Sequence, residues 1–156
     1  MKSDKLISVS FEPRNGRFMA FLSMEGLLSL EGDPEPLLRK ATHEYEQAVY
    51  QMRLLSEQIE KLRSDHNPIP ARKVWEWGDA IFKLTHQLAT LSLQLDQLYE
   101  HLGRDLGVRR KRLEKIIILR RHLPQKELIP EPLNWGRLEK GTRKAAERLR
   151  AGLPLG

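Results

Sequence analysis

The chain has 156 residues, 40% of them hydrophobic, with 27 Lys and Arg against 21 Asp and Glu, a formal net charge of +6 and no cysteine. That length suits one domain of ordinary size or two small ones, either able to bury a core. The absence of cysteine excludes a disulfide scaffold, a thiolate nucleophile and a Cys-ligated zinc site. No run approaches the ~20 apolar residues of a membrane span, and Met1 to Lys5 lacks the charged-then-apolar order of a signal peptide, so a cytoplasmic protein without membrane contact is expected. The charge is divided: residues 1–100 hold 12 basic and 15 acidic side chains, net −3, whereas residues 101–156 hold 15 basic and 6 acidic, net +9. A uniformly basic composition would have spread the excess, so the division points to an acidic front and a C-terminal third built to meet phosphate.

From Leu6 to Leu22 the apolar residues recur with period two around Asn15-Gly16. Both turn residues tolerate positive φ, so this stretch predicts a β-hairpin. A third short run, Leu27 to Leu30, predicts a further strand and an antiparallel meander. Gly32-Asp33-Pro34 then reads as a turn and helix start, with Asp33 as N-cap. From Leu38 the period changes. Leu38, Ala41, Tyr45, Ala48, Met52, Leu55, Ile59 and Leu62 alternate spacings of three and four, a heptad seam on a helix of roughly 30 residues, ~45 Å long. Such a seam meets either the chain's own elements or a second copy, and a homodimer through residues 38–62 is expected.

Asn67-Pro68-Ile69-Pro70 cannot continue a helix and is expected to link two domains, residues 1–66 and 71–151. Beyond it the periodicity predicts helices over about 71–92, 94–103, 109–123 and 135–150, with a proline-bounded loop at 128–132. The fold class expected is α+β, a small antiparallel sheet with a long helix followed by an all-α domain.

Within residues 94–123, the stretch Tyr99 to Ile116 fits a helix-turn-helix. Leu102, Leu106, Val108, Leu113 and Ile116 fill the apolar slots, Gly103 the small-residue slot where the helices cross, and Gly107 the tight turn. The second helix then presents Arg109, Arg110, Lys111, Arg112 and Lys115, five cations within seven residues, as a helix in a major groove requires. Glu114 on the same surface can accept from a cytosine amino group or tether a neighbouring Arg. Arg110, Lys111 and Lys115 are the candidate base-approaching residues. Arg104, Arg120 and Arg121 are expected on phosphates, with Arg143 and Lys144 of the last helix as auxiliary contacts. Trp135 reads as a core anchor. No catalytic site is expected. His43, His66, His86, His101 and His122 have no i, i+4 pair that could hold a metal, no phosphate-binding Gly-rich loop or nucleophile elbow is present, and Glu76 with Asp79 reads as helix-dipole complement. Neither a metal nor a cofactor is expected.

Asn15-Gly16-Arg17-Phe18-Met19-Ala20-Phe21-Leu22, Gly26-Leu27, and Gly32-Asp33 with Leu38 and Ala41 resemble the hairpin, third strand and helix start of the HicB family of antitoxins, over about 40 residues. Pro34 stands where that family has Thr, and the helix here is much longer. The resemblance implies an antitoxin joined to a DNA-binding module that neutralises a small basic toxin and represses its own operon. The leading expectation is therefore a non-enzymatic regulator binding double-stranded DNA. The alternatives are an adaptor that targets a protein partner (toxin or nuclease) to nucleic acid, and a structured-RNA-binding protein.

Overall fold

A computed structural model describes residues 6–155 of the chain. Strands β1 (Ile7–Arg14) and β2 (Arg17–Leu22) form the expected antiparallel hairpin. Asn15 and Gly16 both take positive φ, 51° and 78°, the mirror-image turn whose twist suits a two-residue hairpin. Helix α1 (Met24–Ser29) follows where a third strand was expected at Leu27–Leu30. Ser23 accepts a hydrogen bond from the Gly26 N–H at 3.0 Å and starts that helical turn, an N-cap that outweighs the weak β preference of a Leu-rich run.

The third strand comes from much later in the chain. β3 (Leu93–Leu95) pairs parallel to β1, giving the order β2-β1-β3. The sheet is therefore mixed rather than an antiparallel meander, and residues 93–95 are not the start of a helix. Ser92 and Gln97, both with positive φ, bracket the strand and stop the helices on either side.

Helix α2 (Glu35–Ser64) lies against the inner face of the sheet. Pro34 rather than the expected Asp33 stands at the N-cap position, and Asp33, one residue ahead of it, accepts from the Glu35 N–H at 3.0 Å. Its heptad seam is buried within the chain: Ala41, Tyr45 and Met52 are fully covered and Ile59 nearly so. Tyr45 is the centre of that packing, stacked on Phe11 at 4.3 Å between centroids and edge-on to Phe18 at 5.0 Å. The buried seam positions are thus spent on packing within the chain, and the large apolar side chains that α2 leaves exposed are Tyr50 and Leu54, off the seam, so a second copy would have to meet α2 there rather than on the positions expected from the heptad.

α2 ends at Ser64, ahead of Pro68 and Pro70, and α3 (Ala71–Thr90) returns alongside it. Residues 67–70 were expected as a linker between domains. They are instead pinned from the far end of the chain, with the Ala71 N–H donating to Leu133 O and the Trp135 N–H to Ile69 O. A single core runs from Val9 and Phe11 of the sheet through Trp77, Leu84 and Leu88 of α3 to Trp135, Leu138 and Ala146. Full burial of each large side chain contributes about 1.5–3 kcal/mol. Helix α4 (Leu98–Leu106) packs on α2 and on α5 (Arg110–His122), α5 packs on α3, and α6 (Thr142–Arg150) packs on α5. The last helix is shorter than expected, because residues 135–141 form 3-10 turns before it.

Candidate nucleic-acid interface

α4, a three-residue turn and α5 make the helix pair expected from the sequence. Gly107 takes φ +67° and closes α4 with its N–H on Gly103 O, a left-handed cap that suits glycine. A Cβ added at Gly103 would lie 2.7 Å from Val108 O, so the helices cross as closely as the small-residue slot demands. Leu102, Leu113 and Ile116 are buried, and Leu106 and Val108 are partly so. A second close approach holds the pair to the body. At Gly78 of α3 a Cβ would meet Arg120 Cβ at 2.7 Å and Ile116 O at 2.8 Å.

The cations of this region divide by what they touch. Arg120 lies on the inner side of α5, its side chain only 14% exposed, with Nε 2.9 Å from Asp79 Oδ1. Its guanidinium also stands over the rings of Phe82 and Trp75, at 4.3 and 5.1 Å. Arg112 reaches back to Glu60 of α2 at 3.3 Å and over the Trp77 ring. Arg104 pairs with Asp105 and donates to the Phe11 carbonyl. These three guanidinium groups hold elements of the fold together, so they are removed from the proposed DNA-contact set. Apart from Asp105, the neighbour of Arg104, the groups that hold them, Glu60, Asp79 and the Phe11 carbonyl, lie more than 40 residues away in sequence, which a local pattern of basic residues does not reveal.

Arg110 is exposed but tethered. It pairs with Glu114 at 2.8 Å and with Glu100, and lies over the Tyr99 ring. The hydrogen bond that Arg110 donates to Glu114, and then the charge of Glu100, raise the Arg110 pKa above its ordinary value. Of the two roles open to Glu114, the structure displays the tether. Arg109, Lys111, Lys115, Arg121, Arg143 and Lys144 make no ion pair among the described residues. Lys111 and Lys115, one helical turn apart, share a face of α5. Lys115 continues into a broad groove of about 660 Å³ between α5 and α6, lined also by Lys140, Arg143 and Lys144 with Glu139 and Glu147. Arg121 lies on the other edge of α5, in the row of Arg110 and Glu114. Uncommitted positive charge is thus concentrated at the turn, along one edge of α5 and on α6.

A polar cluster absent from the sequence reading fastens α4 to the sheet. The Phe11 N–H donates to His101 Nε2 at 2.9 Å, and His101 Nδ1 lies 2.9 Å from Asp96 O, which assigns the proton to Nδ1. Beyond the end of β3, the His101 ring and the Arg104 guanidinium thereby occupy the hydrogen-bonding groups of Phe11 that a longer strand would have paired. Tyr45 donates to Asp105, and burial, then this hydrogen bond, raise the Tyr45 pKa far above its ordinary value.

Among the described residues no group of three or more His, Asp or Glu side chains is placed to hold a metal ion, and no helix is long and apolar enough to cross a membrane. Compared with known proteins, the chain matches no family model, no curated protein and no solved structure.

Proposed function

We propose that the protein is a non-enzymatic DNA-binding regulator that lays the N-terminal half of α5 in a major groove. The observation that carries the reading is the close-packed pair α4–α5, turned by Gly107, with Arg109, Lys111 and Lys115 free of carboxylate partners among the described residues and Arg143 and Lys144 beside them. Lys111 and Lys115 lie along the groove, where each approaches base edges while neutralising a flanking phosphate, Arg109, Arg143 and Lys144 neutralise further phosphates, and the Glu114 tether holds Arg110 in an ordered position beside them. Fluorescence anisotropy of a labelled duplex against salt tests this. Counting Arg109, Lys111, Lys115, Arg143 and Lys144 as five cations that each release a counterion, the log K against log salt slope is about −4.5, and a slope shallower than about −3 refutes the clamp. Equal displacement of the duplex by structured RNA would transfer the reading to RNA.

A second reading, an adaptor or antitoxin-like protein that holds a small basic partner, is favoured by the exposed apolar side chains Met19, Met24, Leu27 and Leu28 on β2 and α1. They sit in the portion of the chain with net charge −3. Copurification with the product of a co-transcribed small gene, lost on Leu28→Asp, tests it. Retention of DNA alone refutes it.

A further inference from the structure

Behind the exposed face of α5 lies a cleft of about 330 Å³ between α3, α4 and α5, walled by Ile81, Phe82, Ala89, Leu98 and Ile117. Its size is at the lower end of the range of small-molecule sites, roughly 300–1,000 Å³. Phe82 stands at this cleft with 49% of its surface exposed, an apolar ring that gains by being covered.

The charged side chains of the lining are Arg120 and Arg121, beside the polar groups of Thr85, His86 and Tyr99, and no carboxylate contributes to it. Arg120 is neutralised by Asp79. Arg121 makes no ion pair among the described residues, and no carboxylate stands three or four positions from it in sequence. An apolar chamber with one uncompensated guanidinium at its edge complements a ligand with an apolar body and a single negative group. A guanidinium matches a carboxylate by two parallel hydrogen bonds.

We propose that this cleft binds a small monocarboxylic acid with an aromatic or branched aliphatic body, its carboxylate on Arg121. The binding claim is independent of the DNA reading. Its consequence for regulation, a ligand wedged against both helices of the α4–α5 pair, rests on that reading.

The test is isothermal titration of the full chain with 4-phenylbutyrate and with its uncharged amide. Saturable one-to-one binding of the carboxylate is expected, with the amide about tenfold weaker or more, the loss typical of one charged hydrogen-bonded contact. Arg121→Gln should bring the carboxylate down to the affinity of the amide. Ala89→Trp, which fills part of the cleft, should weaken both ligands. If that variant does not fold, the Arg121→Gln comparison decides alone. The proposal is overturned by no saturable binding of the carboxylate, by equal affinity for acid and amide, or by a preference for the acid that survives Arg121→Gln.

Discussion

Replacing Gly103 with Ala isolates the close crossing of α4 and α5. In a helix with open surroundings Gly→Ala gains about 1 kcal/mol, because alanine loses less backbone freedom on folding. Here the new methyl carbon would sit 2.7 Å from Val108 O. A comfortable contact needs roughly 0.5 Å more, and the obstacle is a backbone carbonyl in a tight turn, not the end of a flexible side chain. Overpacking of this kind costs about 1–3 kcal/mol, and a rigid obstacle places Gly103 in the upper part of that range. The net expectation is a loss of about 1–2 kcal/mol. Urea unfolding followed by far-ultraviolet circular dichroism reads it as a lower midpoint at unchanged slope. Gly136→Ala, in the 3-10 turn Trp135–Arg137, is the control, since nothing lies within 4 Å of a Cβ there, and it should stay within about 0.5 kcal/mol of the parent. If Gly103→Ala is as stable as the parent, the helices do not cross as closely as described and the small-residue reading of position 103 fails.

Other consequences are as direct. Tyr45 has its pKa raised in the folded protein by burial and by its bond to Asp105, so the native state keeps the phenolic proton while the unfolded chain releases it. This contribution is complete below the unfolded pKa of about 10 and declines above it by up to about 1.4 kcal/mol per pH unit. Urea midpoints at pH 9 and 11 measure the decline, which Tyr45→Phe should reduce. Arg120→Met leaves Asp79 with Lys83 alone, at 3.2 Å, and should cost about 1–3 kcal/mol, whereas Arg121→Gln should cost less than about 0.5; thermal melts of the two variants compare them. In duplex-binding titrations, Lys111→Ala with Lys115→Ala should make the salt slope shallower by about 2 if both meet phosphate. Arg112→Ala should leave that slope unchanged, because its guanidinium is held at Glu60.

Local rules carry the hairpin, the long helix and the helix pair, since each is written in consecutive residues: Asn15-Gly16, the three-four spacing from Leu38, and Gly103 with Gly107. What the chain does with those surfaces depends on distant partners. The heptad seam is identical for a coiled coil and for packing on a sheet, and only the presence of Phe11 and Phe18 opposite Tyr45 decides between them. The third strand illustrates a competition. Leu91 to Asp96 alternates apolar and polar residues, a period-two signal as good as that of Leu27–Leu30, yet its place between helical stretches made helix the simpler reading. At Leu27–Leu30 the Ser23 cap was the stronger local cue. The α5 cations show the same limit. Seven apolar and glycine slots locate the motif, but which arginines face solvent depends on Glu60, Asp79 and the Phe11 carbonyl, and no spacing rule connects those positions to residues 104–120.

Because β3 pairs with β1 across more than eighty intervening residues, the front sheet cannot finish forming until nearly two thirds of the chain exists. A two-stranded hairpin alone is marginal in water, and closing so long a loop is entropically slow. On a ribosome, which releases the chain from its first residue, the hairpin therefore waits for the turn after α3 to emerge before its inner edge is paired. Completion of the sheet then precedes the α4–α5 pair in the order of synthesis, and a chain truncated before residue 93 leaves one edge of β1 unpaired and lacks the basic helix altogether.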